Sequence, residues 1–121
     1  MKIRIRGNSV RFRLTKSEVK TLCEMGFVEE KTNFNESFFS YSIKASEEHE
    51  DLHATFRNDS VILFMPKGLL SDWETNEKVG FYHTQSNRNG SALTLTLEKD
   101  FVCMDETVED QSDNYPNPKM M

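Results

Sequence analysis

His49-Glu50-Asp51-Leu52-His53 carries the H-E-x-x-H spacing of zinc peptidases. On a helix that spacing sets two imidazoles one turn apart on one metal, with the glutamate as general base. The surroundings here point elsewhere. "SEEHED" (46–51) is a polar connector, and Leu52, Ala54 and Phe56 alternate as in a strand. An extended chain from His49 to His53 spans roughly 13 Å, too far for one zinc with ligand distances of about 2 Å. No third ligand follows at a recognisable spacing. The expectation is two surface histidines in an acidic turn, with no metal site.

A second group of residues suits anion chemistry. Lys2, Arg4 and Arg6 alternate with Ile3 and Ile5, and Arg11 and Arg13 alternate with Val10, Phe12 and Leu14. Arginine bonds phosphate and carboxylate through a planar fork of donors. Two such runs around Gly7-Asn8 read as a β-hairpin, with an apolar inner face and Lys2, Arg4, Arg6, Arg11 and Arg13 on the outer one. Like charges on one sheet face repel unless something neutralises them. The neutraliser could be a bound anion, solvent, or the chain's own Glu29, Glu30, Glu98 and C-terminal acids. This face is the candidate anion-binding site.

Cys103, Asp105, Glu106, Glu109, Asp110 and Asp113 form a third cluster. It lacks the spacing and turn glycine of a calcium loop, and Cys103 has no placed histidine partner. It reads as a flexible acidic extension over 103–121, following a single domain over 1–102. Its acids are expected to fold back toward Arg4, Arg6, Arg11 or Arg13. No Walker loop, G-x-G-x-x-G, G-x-S-x-G or C-x-x-C occurs, so the sequence identifies no catalytic residue and no cofactor.

The elements that must position the hairpin follow from periodicity. Thr15-Lys16-Ser17-Glu18 has the form of a capping box. Val19, Leu22 and Cys23 then fall at helical spacing, and Gly26 stops the run, which predicts a helix over about 16–25. Cys23 lies on its apolar side, as a structural thiol would. Strands are expected at 27–34, 38–45, 52–58, 61–66, 78–85 and 91–101. Pro66 opens a short second helix bearing Leu69, Leu70 and Trp73.

Charge is unevenly spread along the chain. Residues 1–20 hold seven Lys and Arg against Glu18 alone, a surplus of six, so the rest must carry −11 to give the total of −5. An acidic chain does not present the broad positive field that a nucleic acid backbone favours. Among aromatics, only Phe38 and Tyr82 fall off the apolar faces, too few for a base-stacking platform. The longest apolar run, "VILFM" (61–65), cannot span a bilayer. With two cysteines and no leader-like segment, a soluble, reduced, cytoplasmic protein is expected.

"MKIRIRGNSVRFRLTKSEV" at the start, "VEEKTNF" (28–34) and "LEKDFVCMDETVEDQSDNYPNP" near the end resemble a family of short uncharacterised bacterial proteins of this length. The resemblance covers nearly the whole chain. It implies a stand-alone bacterial cytoplasmic protein whose tail belongs to the family pattern, and it carries over no catalytic residue. A looser similarity is to triphosphate-tunnel phosphohydrolases, whose barrels alternate basic residues and metal-holding glutamates. "KIRIR" and "RFR" fit the basic half. "VEEKT" departs from the acidic half, because adjacent Glu29 and Glu30 point to opposite strand faces.

The expected fold is α+β: a mostly antiparallel, curved or barrel-like sheet of about six to eight strands with two short helices. The expected function is that of a non-enzymatic binding or interaction protein, whose partner is an anionic ligand or another protein. The alternative is a phosphate- or anion-handling enzyme. An enzyme would place the arginines in a cleft beside paired carboxylates. A binding module would leave them on an open face.

Overall fold

The computed structural model describes residues 1–101 and 112–116. Eight strands run in the order β1 (Lys2–Arg6), β2 (Ser9–Leu14), β3 (Phe27–Asn33), β4 (Phe38–Ser46), β5 (His53–Arg57), β6 (Ser60–Pro66), β7 (Gly80–Ser86) and β8 (Ala92–Lys99). One helix, α1 (Lys16–Met25), lies between β2 and β3, and a short 3-10 turn (Lys67–Leu70) follows β6. The strands divide into two four-stranded sheets, ordered β1-β2-β8-β7 and β3-β4-β6-β5.

Both sheets are built alike. Each joins two antiparallel hairpins through the second strand of each, so β2 runs parallel to β8 and β4 runs parallel to β6. The whole second sheet lies in the chain between β2 and β8. The expected single, mostly antiparallel sheet is therefore corrected to two mixed sheets. They do not close into a barrel. Strand alternation reports which face is buried and not which neighbour is bonded, so the parallel pairs left no local mark. The second expected helix is also corrected. Only the single 3-10 turn forms after Pro66, and Trp73 lies beyond it.

Turn chemistry fixes two of the hairpins. Gly7 takes a positive φ of 53° in the two-residue loop between Arg6 and Ser9, where glycine escapes the Cβ clash. Asn58 and Asp59 both adopt left-handed backbone between β5 and β6, as a type I′ turn requires. At the start of α1 the Glu18 carboxylate accepts from the Thr15 backbone N–H at 2.9 Å and from the Thr15 hydroxyl at 3.1 Å. That is the glutamate half of the capping box.

The inward faces meet in one core. Val10, Phe12, Leu14, Leu95 and Leu97 come from the first sheet, and Ile43, Val61, Leu63 and Met65 from the second. Val19 and Leu22 of α1 join them. Phe12 is fully buried, and truncating such a ring typically costs about 3–5 kcal/mol. Trp73 is also fully buried. Its indole N–H donates to the Lys78 carbonyl at 2.8 Å, and its ring meets Phe81 edge-on at 5.1 Å. Cys23 is half-buried against this core, and burial pushes its thiol above the ordinary value.

Residues 112–116 pack onto the domain. The Tyr115 N–H donates to the Asp100 carbonyl at 2.8 Å, and Lys16 N–H donates to the Asp113 carbonyl at 3.0 Å. Tyr115 stacks obliquely on Phe101 at 5.7 Å, and burial pushes its phenol up to about 12. Lys99 points inward from the end of β8, its ammonium 5.1 Å from the Tyr115 ring and 5.7 Å from that of Trp73. It donates to the Asn76 carbonyl at 2.7 Å. Burial holds the Lys99 amine below its usual value.

Candidate anion-binding face

The β1–β2 register decides how the basic residues meet. Lys2 pairs across from Arg13, and Arg4 across from Arg11, while Ile3 opposes Phe12. Because side chains alternate, all four cations of these two pairs project from one face, away from the core. β8 continues that face with Thr94, Thr96 and Glu98, and β7 with Tyr82 and Thr84. Tyr82 is 67% exposed, so the face is open to solvent. Lys2, Arg4, Arg11 and Arg13, with Ile3, line a shallow depression of about 270 Å³. Arg6, the fifth expected residue, sits at the turn end of β1 and does not line it.

Part of this charge is met within the chain. Glu98 lies 3.5 Å from the Arg11 Nε and 3.3 Å from the Arg13 Nε, and accepts from the Tyr82 hydroxyl at 3.3 Å. Gly80 stands opposite Glu98 on β7. A Cβ there would lie 2.9 Å from the Glu98 Cβ and closer still to the Leu97 carbonyl oxygen. Glycine thus leaves room for the Glu98 backbone and side chain. The Lys2 ammonium lies 3.1 Å from the buried Asp100 carboxylate. Among the described residues, Arg4 and Arg6 make no ion pair.

The other expected neutralisers go elsewhere. Glu29 lies 3.8 Å from the Lys31 ammonium, and Glu30 lies 3.5 Å from the Met1 ammonium. Asp113 accepts from the Ser17 N–H at 3.3 Å and also from its hydroxyl, at the first turn of α1. Those bonds hold the Asp113 carboxyl below its usual range. Cys103, Asp105, Glu106, Glu109 and Asp110 lie outside the described residues.

The profile of a family of unknown function, DUF7009, matches residues 1–119. The chain belongs to that family. No curated protein and no solved structure matches it. The DUF7009 profile spans both sheets and the 112–116 segment alike. The likeness to triphosphate-tunnel enzymes gains no support in this DUF7009 chain, since its arginines line an open face and its sheets form no closed barrel.

The H-E-x-x-H histidines require a correction of distance. Bends over 47–51 fold the connector back, so the His49 and His53 rings stack 5.0 Å apart at 19°. They are not spread along an extended chain. His49 also stacks on Phe64 at 4.9 Å, and its Nδ1 shares a hydrogen bond with the Ser46 hydroxyl at 2.7 Å. His83 on β7 comes within 3.9 Å of the Asp51 carboxylate. Among the described residues no group of three or more His, Cys, Asp or Glu is placed to hold a metal. Also among them, no helix is long and apolar enough to cross a membrane.

Two contributors escaped the sequence reading. Asp100 sits just past β8, outside the alternating run, and nothing in its spacing ties it to Lys2. Gln85 faces inward on β7, and its amide meets both backbone groups of Ala54. It donates to the Ala54 carbonyl at 3.0 Å and accepts from the Ala54 N–H at 2.7 Å. A lone glutamine in phase with Phe81 and His83 was the one available signal.

Proposed function

We propose that this protein is a binding module that takes an anionic ligand, or an acidic surface of a partner, on the outer face of its first sheet. One observation carries the reading. Arg4 and Arg11 stand directly opposed, and Arg4 makes no ion pair among the described residues. Opposed like charges are destabilising on a sheet, and a bound anion removes that repulsion. Arginine forks suit phosphate, sulfate or carboxylate groups.

An anion-handling enzyme would need a second carboxylate beside the arginines. The face offers Glu98, which is already engaged by Arg11, Arg13 and Tyr82. The binding reading therefore explains more of the geometry than the enzymatic one.

Titration with inorganic phosphate, pyrophosphate and heparin, followed by amide shifts in NMR, tests the proposal. Shifts should centre on β1 and β2, weaken with salt, and disappear in an Arg4→Ala, Arg11→Ala variant. A second chain with Asp105, Glu106, Glu109 and Asp110 changed to their amides checks for internal competition. Tighter anion binding there would mean that the acidic segment competes for the face. No β1 or β2 response in either chain would refute the proposal.

A further inference from the structure

The molecule carries a larger concavity, away from the arginines, that no part of the anion reading uses. It is an open groove of about 1380 Å³. One wall is the last turn of α1, the floor is the start of β3 and the end of β4, and the other wall runs from Pro66 to Thr75. Small-molecule sites typically occupy about 300–1,000 Å³ and enclose most of the ligand. This groove is both larger and open, which suits an extended segment.

Its lining has two chemical characters. Ala45 is partly exposed over the buried Leu22, Pro66 and Leu70, and Met25 and Phe27 add exposed apolar side chains on either side of Gly26. Met25 is 75% exposed and Phe27 43%, large apolar groups that the core leaves in water. Methionine on a surface adapts its shape to varied apolar partners.

The charged lining is asymmetric. Glu24 stands on the helical wall, and Asp72 and Glu74 on the opposite one. None of the three makes an ion pair among the described residues. Glu47 is already matched by Lys67 at 3.3 Å. Lys44 is the remaining cation in the lining, so the groove keeps a net negative charge. An apolar strip between acidic walls complements a segment that is apolar on one side and cationic on the other.

We infer that this groove docks a cationic amphipathic segment of a partner protein. Its apolar side chains meet Met25, Phe27 and the groove floor, while its Lys or Arg residues pair with Glu24, Asp72 and Glu74. The site is independent of the arginine face and lies on other elements.

The test uses the full chain and a synthetic amphipathic Leu/Lys helix as probe. Controls are the same peptide with Glu for every Lys, and a scrambled peptide of equal composition. Binding is read by fluorescence anisotropy and mapped by NMR. The amphipathic cationic peptide should shift the amides of 22–27, 44–46 and 66–75 and bind more tightly than either control. Glu24→Lys with Glu74→Lys should weaken it about tenfold or more. Met25→Gln, at an exposed position that leaves the fold intact, should also weaken it. Arg4→Ala should not. Shifts centred elsewhere, equal binding of the scrambled peptide, or indifference to both groove variants would overturn the inference. So would groove-face self-association in sedimentation that excludes the peptide.

Discussion

Arg4 and Arg11 stand directly across from one another on β1 and β2, with Lys2 and Arg13 forming the next like-charged pair on the same face. A sheet selected for stability alone would not place four cations this way. Arg4→Thr should therefore raise stability by about 0.2–1 kcal/mol at low salt and abolish most anion binding. The gain should shrink as salt screens the repulsion. Urea unfolding at two ionic strengths, beside a phosphate titration, measures both effects. A loss of stability at low salt would show that Arg4 is held by contacts beyond electrostatics.

Glu98 is the counter-charge of this face, set between two arginines and a tyrosine hydroxyl. Both arginine side chains are about two-fifths exposed, 40% and 42%, so solvent screens each pair. Glu98→Gln should lower stability by only about 0.5–1 kcal/mol. It should also tighten anion binding, since Arg11 and Arg13 are released to the ligand. Unfolding curves and phosphate affinity together separate the two roles. Weaker anion binding in this variant would mean that Glu98 positions the arginines for the ligand.

His53 makes stability depend on pH. Burial first, then His49 and His83, hold the His53 imidazole below its ordinary value. A base with a depressed folded-state pKa takes up its proton more readily when unfolded. Stability is therefore full above the unfolded value, about 6.5, and falls as pH drops through it until the folded form also protonates. Unfolding at pH 7.5 and pH 5.5 should show the loss, which His53→Gln should reduce. An unchanged pH slope in the variant would assign the effect to other groups.

Local patterns made the elements and the basic face legible. Alternation in "KIRIR" and "VRFRL" gave the hairpin, and Thr15 with Glu18 gave the start of α1. What stayed hidden depends on pairings distant in sequence. The parallel contact of β2 with β8 joins residues such as Phe12 and Leu97, which no local periodicity connects. The bends that stack His49 on His53 lie in a polar connector whose residues suit extended and turned backbone alike. Pro66 suits a helix start, yet Gly68 and Ser71 are poor helix formers, and the run stops after one 3-10 turn.

Gln85 joins the two sheets where their outer strands approach. Its side-chain amide imitates a peptide group, donating to the Ala54 carbonyl and accepting from the Ala54 N–H. Ala54 lies on β5, the edge of the second sheet, and Gln85 on β7, the edge of the first. The pair thus satisfies edge groups that a neighbouring strand would otherwise take. Ala54 is buried, so water cannot readily replace a lost partner. Gln85→Ala should cost about 1–3 kcal/mol, the range for leaving buried backbone groups unsatisfied. Gln85→Glu keeps the acceptor and, when ionised, loses the donor, so its defect should be relieved as the carboxyl protonates at low pH. Hydrogen exchange at the Ala54 amide reports the contact directly, and should speed up in Gln85→Ala well beyond what global destabilisation accounts for. Exchange at Ala54 that tracks only global unfolding would show that β5 is held by β6 alone and that the Gln85 bridge adds nothing.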